Sequence, residues 1–144
     1  MKILGIDYGT KKLGLALGVS GIVTPLFDID YAKGHILEKN ACQEISKIIS
    51  VENIRKVIFG IPITSNTSNK LVDDVKEFGL LLKNFYKTNF NCDIDIEYVN
   101  EVMSSKEAVE RMVNMGYSQK SRKDDHIYAA CIILERYFEE KGNY

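Results

Sequence analysis

The chain has 144 residues, the length of one ordinary domain, with 45% hydrophobic and 27% charged side chains, the proportions of a globular protein with a real core. With 19 basic against 20 acidic side chains the net charge is -1, so any attraction to a polyanion must come from local clusters of Lys and Arg. No apolar run approaches the ~20 residues that span a bilayer, and "MKILGIDYG" meets Asp7 before a segment of signal-peptide length can form; one cytoplasmic domain over residues 1–144, without membrane contact, is expected.

"KILGIDYG" has strand composition, "GTKK" is a turn, and "LGLALGVS" reads as a second strand, which together predict an antiparallel hairpin. "GIVTPLFDIDY" adds a third strand. After Gly34, the stripe Leu37, Ala41, Ile45, Ile48 and Ile49 predicts a helix. The continuous apolar run "RKVIFGIPI" then has the look of a strand buried on both faces of a parallel sheet. A polar loop, "TSNTSN", leads to a second helix with the stripe Leu71, Val75, Phe78, Leu82 and Phe85. "CDIDIEYV" alternates like a strand and ends at Asn100 and Glu101. "SSKEAVERMVNMG" reads as a helix with a Ser104–Glu107 capping box and Gly116 as terminator. The closing helix carries the stripe Ile127, Ala130, Cys131, Leu134, Tyr137 and Phe138. Cys42, Cys92 and Cys131 are widely spaced, with no CxxC pair to clamp zinc, and Cys42 and Cys131 fall on or beside the apolar stripes as small core residues.

Three strands able to pair as a meander, followed by alternating strand and helix units, imply a mixed sheet with helices on its faces. In such sheets, sites form beyond the carboxyl ends of strands. Three acidic candidates lie there: Asp7 near the end of the first strand, Glu101 just past the last, and the Asp124, Asp125, His126 run opening the final helix. Glu101 alone also reads as a solvated loop acid, and Asp124 or Asp125 alone as a helix N-cap. Asp7 is different, because both burial and strand propensity disfavour an aspartate in a central strand. A lone buried carboxylate needs a partner or a cation. Mg²⁺ or Mn²⁺ meets that need, and two such ions about 3.5–4 Å apart can activate water and steady the leaving oxygen of a phosphodiester.

The segments "GIDYGTKKLGLALG", "VIFGIPIT", "NEVMSSKEA" and "DDHIYAACIILERYF" resemble, in this order, the YqgF family, also described as RuvX-like or Holliday-junction resolvases. The resemblance implies an α/β, ribonuclease-H-like fold: a mixed five-stranded sheet, three antiparallel strands then βα units, with helices on both faces. It further implies a metal-dependent endonuclease that hydrolyses structured nucleic acid, leaves a 5′-phosphate and processes the 5′ end of pre-16S ribosomal RNA, with precursor ribosomal particles as candidate partners. The oligomeric state stays open between a monomer and a weak homodimer, since a junction cutter wants a two-fold pair of sites and an rRNA trimmer does not need one. Carried over by residue, the first acid is Asp7. The second is Glu101, from an Asp-Glu-Arg run in which Asn100 here replaces the preceding acid and Val102 the arginine. Ser104 and Ser105 stand for the hydroxyl pair that follows. The third acid, aligned without a gap on "AACIIL", falls on His126; one extra residue in the first turn gives the place to Asp125, with His126 as neighbouring ligand or general base.

In this reading Gly9 lets backbone approach a phosphate, Thr10 offers a hydroxyl and amide, and Lys11 and Lys12 reach the polyanion. Lys106, Lys120, Arg122 and Lys123 form a basic rim near the other acids, and Tyr117 is a candidate for base stacking. The same turn also reads as an ordinary hairpin with solvated lysines. Three other functions fit parts of the pattern: a resolvase of branched DNA, a non-catalytic RNA-binding scaffold, and an actin- or sugar-kinase-like ATP-binding phosphotransferase. "GIDYGT" resembles the first phosphate loop of the last group, but no second acidic Gly-rich turn repeats it.

Overall fold

A computed structural model describes residues 1–62, 70–100 and 126–142. The expected hairpin is formed by β1 (Lys2–Tyr8) and β2 (Lys12–Val19), antiparallel, with Asp7 opposite Gly14. A tight turn follows in which Ser20 (φ 51°) and Gly21 (φ 84°) both take positive φ, the backbone of hairpin turns that match the twist of paired strands. It leads into β3 (Ile22–Asp30), an edge strand where Pro25 is tolerated because it owes the ladder no outward donor.

Helix α1 (Ile36–Glu52) is capped by the His35 side chain, which accepts from the Leu37 N–H, and closed by Asn53 in the left-handed region. The chain turns directly into β4 (Ile54–Ile61), which pairs parallel to β1. Helix α2 (Lys70–Phe90) precedes β5 (Asp95–Asn100), parallel to β4. Helix α3 (His126–Lys141) ends the described chain. The strand order β3-β2-β1-β4-β5 is the mixed five-stranded sheet expected, with β1 at its centre. The loop "TSNTSN" and the helix expected over "SSKEAVERMVNMG" lie outside the described residues. The last strand begins at Asp95, later than its alternating pattern, because Asp93 instead accepts from the Ile94 N–H and pairs with Lys83.

Alternation along the strands sends Leu4, Ile6, Tyr8, Leu13, Leu15, Val57 and Phe59 to a core shared with α1 and α2, while Ile3, Ala16, Ile58 and Val99 pack against α3 on the other face. Lys33 joins the start of α1 to α2 through Asp74 and Glu77, both at 2.7 Å. Burial on α3 is wider than the predicted stripe: Tyr128, Ile132 and Ile133 are buried too, whereas Ile127 is half-buried. Among the described residues no helix is long and apolar enough to cross a membrane.

Helix α3 lies close on the hairpin because glycines line its track. A Cβ on Gly5 would stand 2.6 Å from Leu134 Cγ, and one on Gly14 would overlap the carbonyl of His126. Gly14→Ala therefore has no flexible neighbour to displace and should lower stability by on the order of 2–3 kcal/mol in urea unfolding; an unchanged midpoint would mean that α3 sits farther from β2.

Burial pushes the Cys42 thiol up to about 12, and Cys131 is equally enclosed, while Cys92 is exposed. Only a thiolate attacks an alkylating agent. Brief treatment of the native protein with iodoacetamide at pH 8 should label Cys92 and spare the other two, as read by peptide mass spectrometry.

Candidate active site

Asp7 is the one buried charged side chain among the described residues. It sits on the α3 face at the penultimate position of β1, where the hairpin is about to turn. Its Oδ2 lies 2.6 Å from His126 Nδ1, with the Asp7 side chain 9% exposed and the imidazole 34% exposed. An ionised carboxylate can only accept, so towards one the Nδ1 of His126 is the donor. His126 is the first residue of α3, and its place follows from the glycine track: with Gly14 under its carbonyl, its ring falls over Gly9, where a Cβ would stand 2.7 Å from Cε1 and 3.2 Å from Nδ1.

The structure thus brings together Asp7, Gly9 and His126. Gly9 makes room for the imidazole, a use of this glycine that the sequence reading did not anticipate. Its N–H also closes the turn onto the Lys12 carbonyl at 3.0 Å. Thr10 and Lys11 are exposed on that turn. Lys12 is exposed as well, and its ammonium is shared between Asp28 at 3.8 Å and Asp30 at 3.6 Å on β3. Exposed pairs of this length are weak and rearrange at little cost. Glu101, Asp124, Asp125, Lys106, Lys120, Arg122, Lys123 and Tyr117 lie outside the described residues. Asn100, which precedes Glu101, ends β5 with its carbonyl accepting from Arg136 Nε at 3.2 Å. Arg136 was not singled out in the sequence, where an arginine on the outer side of a helix reads as solvated.

No group of three or more His, Cys, Asp or Glu that could hold a metal occurs among the described residues. Those residues supply two donors at one point, a carboxylate and an imidazole. Hard oxygen with one nitrogen is a set compatible with Mn²⁺ or Mg²⁺ once further carboxylates join it.

A family model described as "RuvX: Holliday junction resolvase" matches residues 1–140. A "Putative pre-16S rRNA nuclease" of Chlamydia felis is 32% identical over 142 residues, covering 94% of this chain and 89% of that protein. A protein of the same description from Prosthecochloris aestuarii is 29% identical over 143 residues, covering 96% and 94%. Among solved structures, T. thermophilus RuvC in complex with Holliday junction substrate superimposes with a TM-score of 0.65 at 14% identity, covering 99% of this chain and 98% of that one. The Fowlpox virus Holliday junction resolvase gives 0.58 at 14% identity, covering 97% and 99%. At such identity the likeness speaks for the fold, which is the ribonuclease-H-like one that the sequence resemblance implied.

The Asp7–His126 pair makes a direct prediction. A charge-assisted hydrogen bond of this kind is worth roughly 1.5–3 kcal/mol, so the cycle of Asp7→Ala, His126→Ala and the double variant should return a coupling of that order in chemical unfolding. Additive losses would show that the two side chains do not interact.

Proposed function

The chain belongs to the RuvX family, and from that premise we propose that residues 1–144 act as one metal-dependent endonuclease domain that hydrolyses phosphodiester bonds in structured nucleic acid. The observation that carries this reading is the buried Asp7 carboxylate, held at the end of the central strand against His126. A fold seldom spends a buried charge on structure when a hydrophobic residue would pack as well, and acids at the carboxyl ends of strands are functional candidates.

In the proposed site Asp7 would hold a cation through its carboxylate, whose Oδ2 also lies against His126 Nδ1. Glu101 and Asp125 complete the acidic set, with His126 as a ligand or as the base beside them. Mg²⁺ or Mn²⁺ bound there would supply the charge that activates water and steadies the departing oxygen. The protein's own contribution is orientation: His126 fixes the rotamer of Asp7, and both are seated on regular elements rather than on loops. Thr10, Lys11 and Lys12 border the site on the hairpin turn, and Lys106, Lys120, Arg122 and Lys123 are assigned to the phosphate-binding rim. Such contacts position a polyanion without reading its sequence.

The substrate we favour is the 5′ end of pre-16S rRNA, as the descriptions of the curated relatives suggest, in precursor ribosomal particles of the cytoplasm. Branched DNA is the second reading, favoured by the family's description. The test is incubation with labelled precursor rRNA fragments and four-way DNA junctions in Mg²⁺ or Mn²⁺, beside Asp7→Asn, which keeps an acceptor for His126 but removes the charge. Cleavage should require metal and fall by on the order of a thousandfold or more in the variant. Binding without metal-dependent cleavage by the wild type would make the protein a scaffold and overturn the nuclease reading.

A further inference from the structure

The residue after Asp7 points the other way. Tyr8 lies on the α1/α2 face of β1, and its hydroxyl is 2.9 Å from that of Tyr31, which donates to Glu38 Oε2 at 2.6 Å. The rings lock as well: Tyr8 meets Tyr31 edge-on with centroids 5.1 Å apart, and both lean on Phe78, at 5.8 and 5.3 Å. Tyr31 reaches the site a second way, because its backbone N–H donates to the Lys11 carbonyl at 2.9 Å. Glu38 is itself held in the first turn of α1, where a carboxylate is favoured, and its Oε1 accepts from the Gly34 N–H at 3.3 Å.

This network stands where the strand is least supported. The parallel ladder between β1 and β4 stops at Ile6 opposite Phe59, so Asp7 and Tyr8 are paired in the sheet only with Gly14 and Leu13 of β2. On the face opposite the Asp7–His126 contact, the end of β1 is anchored by the Tyr8 side chain. Burial raises the phenols of both Tyr8 and Tyr31 above their ordinary value, which keeps Tyr31 a donor to Glu38 throughout the neutral and mildly alkaline range.

We propose that Tyr31, gripped by Glu38 and acting through Tyr8 and the Lys11 carbonyl, is a positioning residue that fixes the Asp7 carboxylate and the Gly9–Lys12 turn from the opposite face of the sheet. The geometric claim stands on these contacts, and only its catalytic consequence rests on the nuclease reading. Outer partners of this kind are worth on the order of 10- to 100-fold in metal affinity or activity.

The test uses Tyr31→Phe, which keeps the ring and deletes the hydroxyl, with Glu38→Ala and Glu38→Gln. Three quantities are read: Mn²⁺ affinity by titration calorimetry, kcat and KM on a cleaved oligonucleotide, and the Cε1–Hε1 NMR signal of His126 in metal-free protein. The chain has two histidines, so His35→Asn assigns that signal. Tyr31→Phe and Glu38→Ala should each weaken Mn²⁺ binding and kcat by on the order of tenfold, leave KM within about twofold, and shift the His126 signal. Glu38→Gln, whose amide oxygen still accepts from Tyr31, should stay near wild type. If Tyr31→Phe does not fold, Glu38→Ala, at a half-buried position, carries the same comparison. Wild-type Mn²⁺ affinity and an unmoved His126 signal in the folded variants would overturn the proposal, as would a Glu38→Gln as impaired as Glu38→Ala. A shifted His126 signal in a protein whose wild type neither binds Mn²⁺ nor cleaves would sink the nuclease reading and leave the positioning role standing.

Discussion

The close approach of α3 to the β1–β2 hairpin governs the rest of this molecule. Side chains on one face of the hairpin are reduced to hydrogen at Gly5 and Gly14, so the helix backbone rests on the sheet itself. A packed interface of that kind has little freedom to slide, because protein interiors are close-packed and displacement by a fraction of an ångström creates overlap or void. The position of the first residue of α3 is therefore set by the sheet. His126 falls over Gly9 and against Asp7, and a carboxylate that would otherwise be buried alone acquires a partner.

The two faces of β1 divide the work. One face carries the acid, its imidazole and the helix that delivers it; the other carries an aromatic cluster of Tyr8, Tyr31 and Phe78 that grips the same strand end. Successive residues of a strand point to opposite sides, so a site at Asp7 is held both by its own neighbours and by the core behind it. Rigid placement of this sort is what an electrostatic site needs, since charged groups that must reorganise during reaction lose much of their effect.

Much of this is legible in the amino-acid sequence. The hairpin, the α1 and α2 stripes and the buried parallel strand follow from period and turn chemistry, and Asp7 stood out because an acid in a central strand is costly. The role of Gly9 was not legible, since a glycine in a turn reads equally as conformational freedom, ligand approach or room for a distant side chain; the claimant, His126, is 119 residues away. Nor was the Tyr8–Tyr31–Glu38 chain, because buried tyrosines look like core until their hydroxyls are located. His126, one of the two residues that the sequence offers for the family's third acid, lies against Asp7, while the other, Asp125, lies outside the described residues.

The central claim is that Asp7 is an inner ligand of a divalent cation. The direct measurement is anomalous scattering from crystals grown with Mn²⁺. The account predicts a manganese peak within about 2.0–2.3 Å of an Asp7 carboxylate oxygen, lost in Asp7→Asn. Saturated crystals with no peak there, or with manganese bound only at a distant surface, would contradict it.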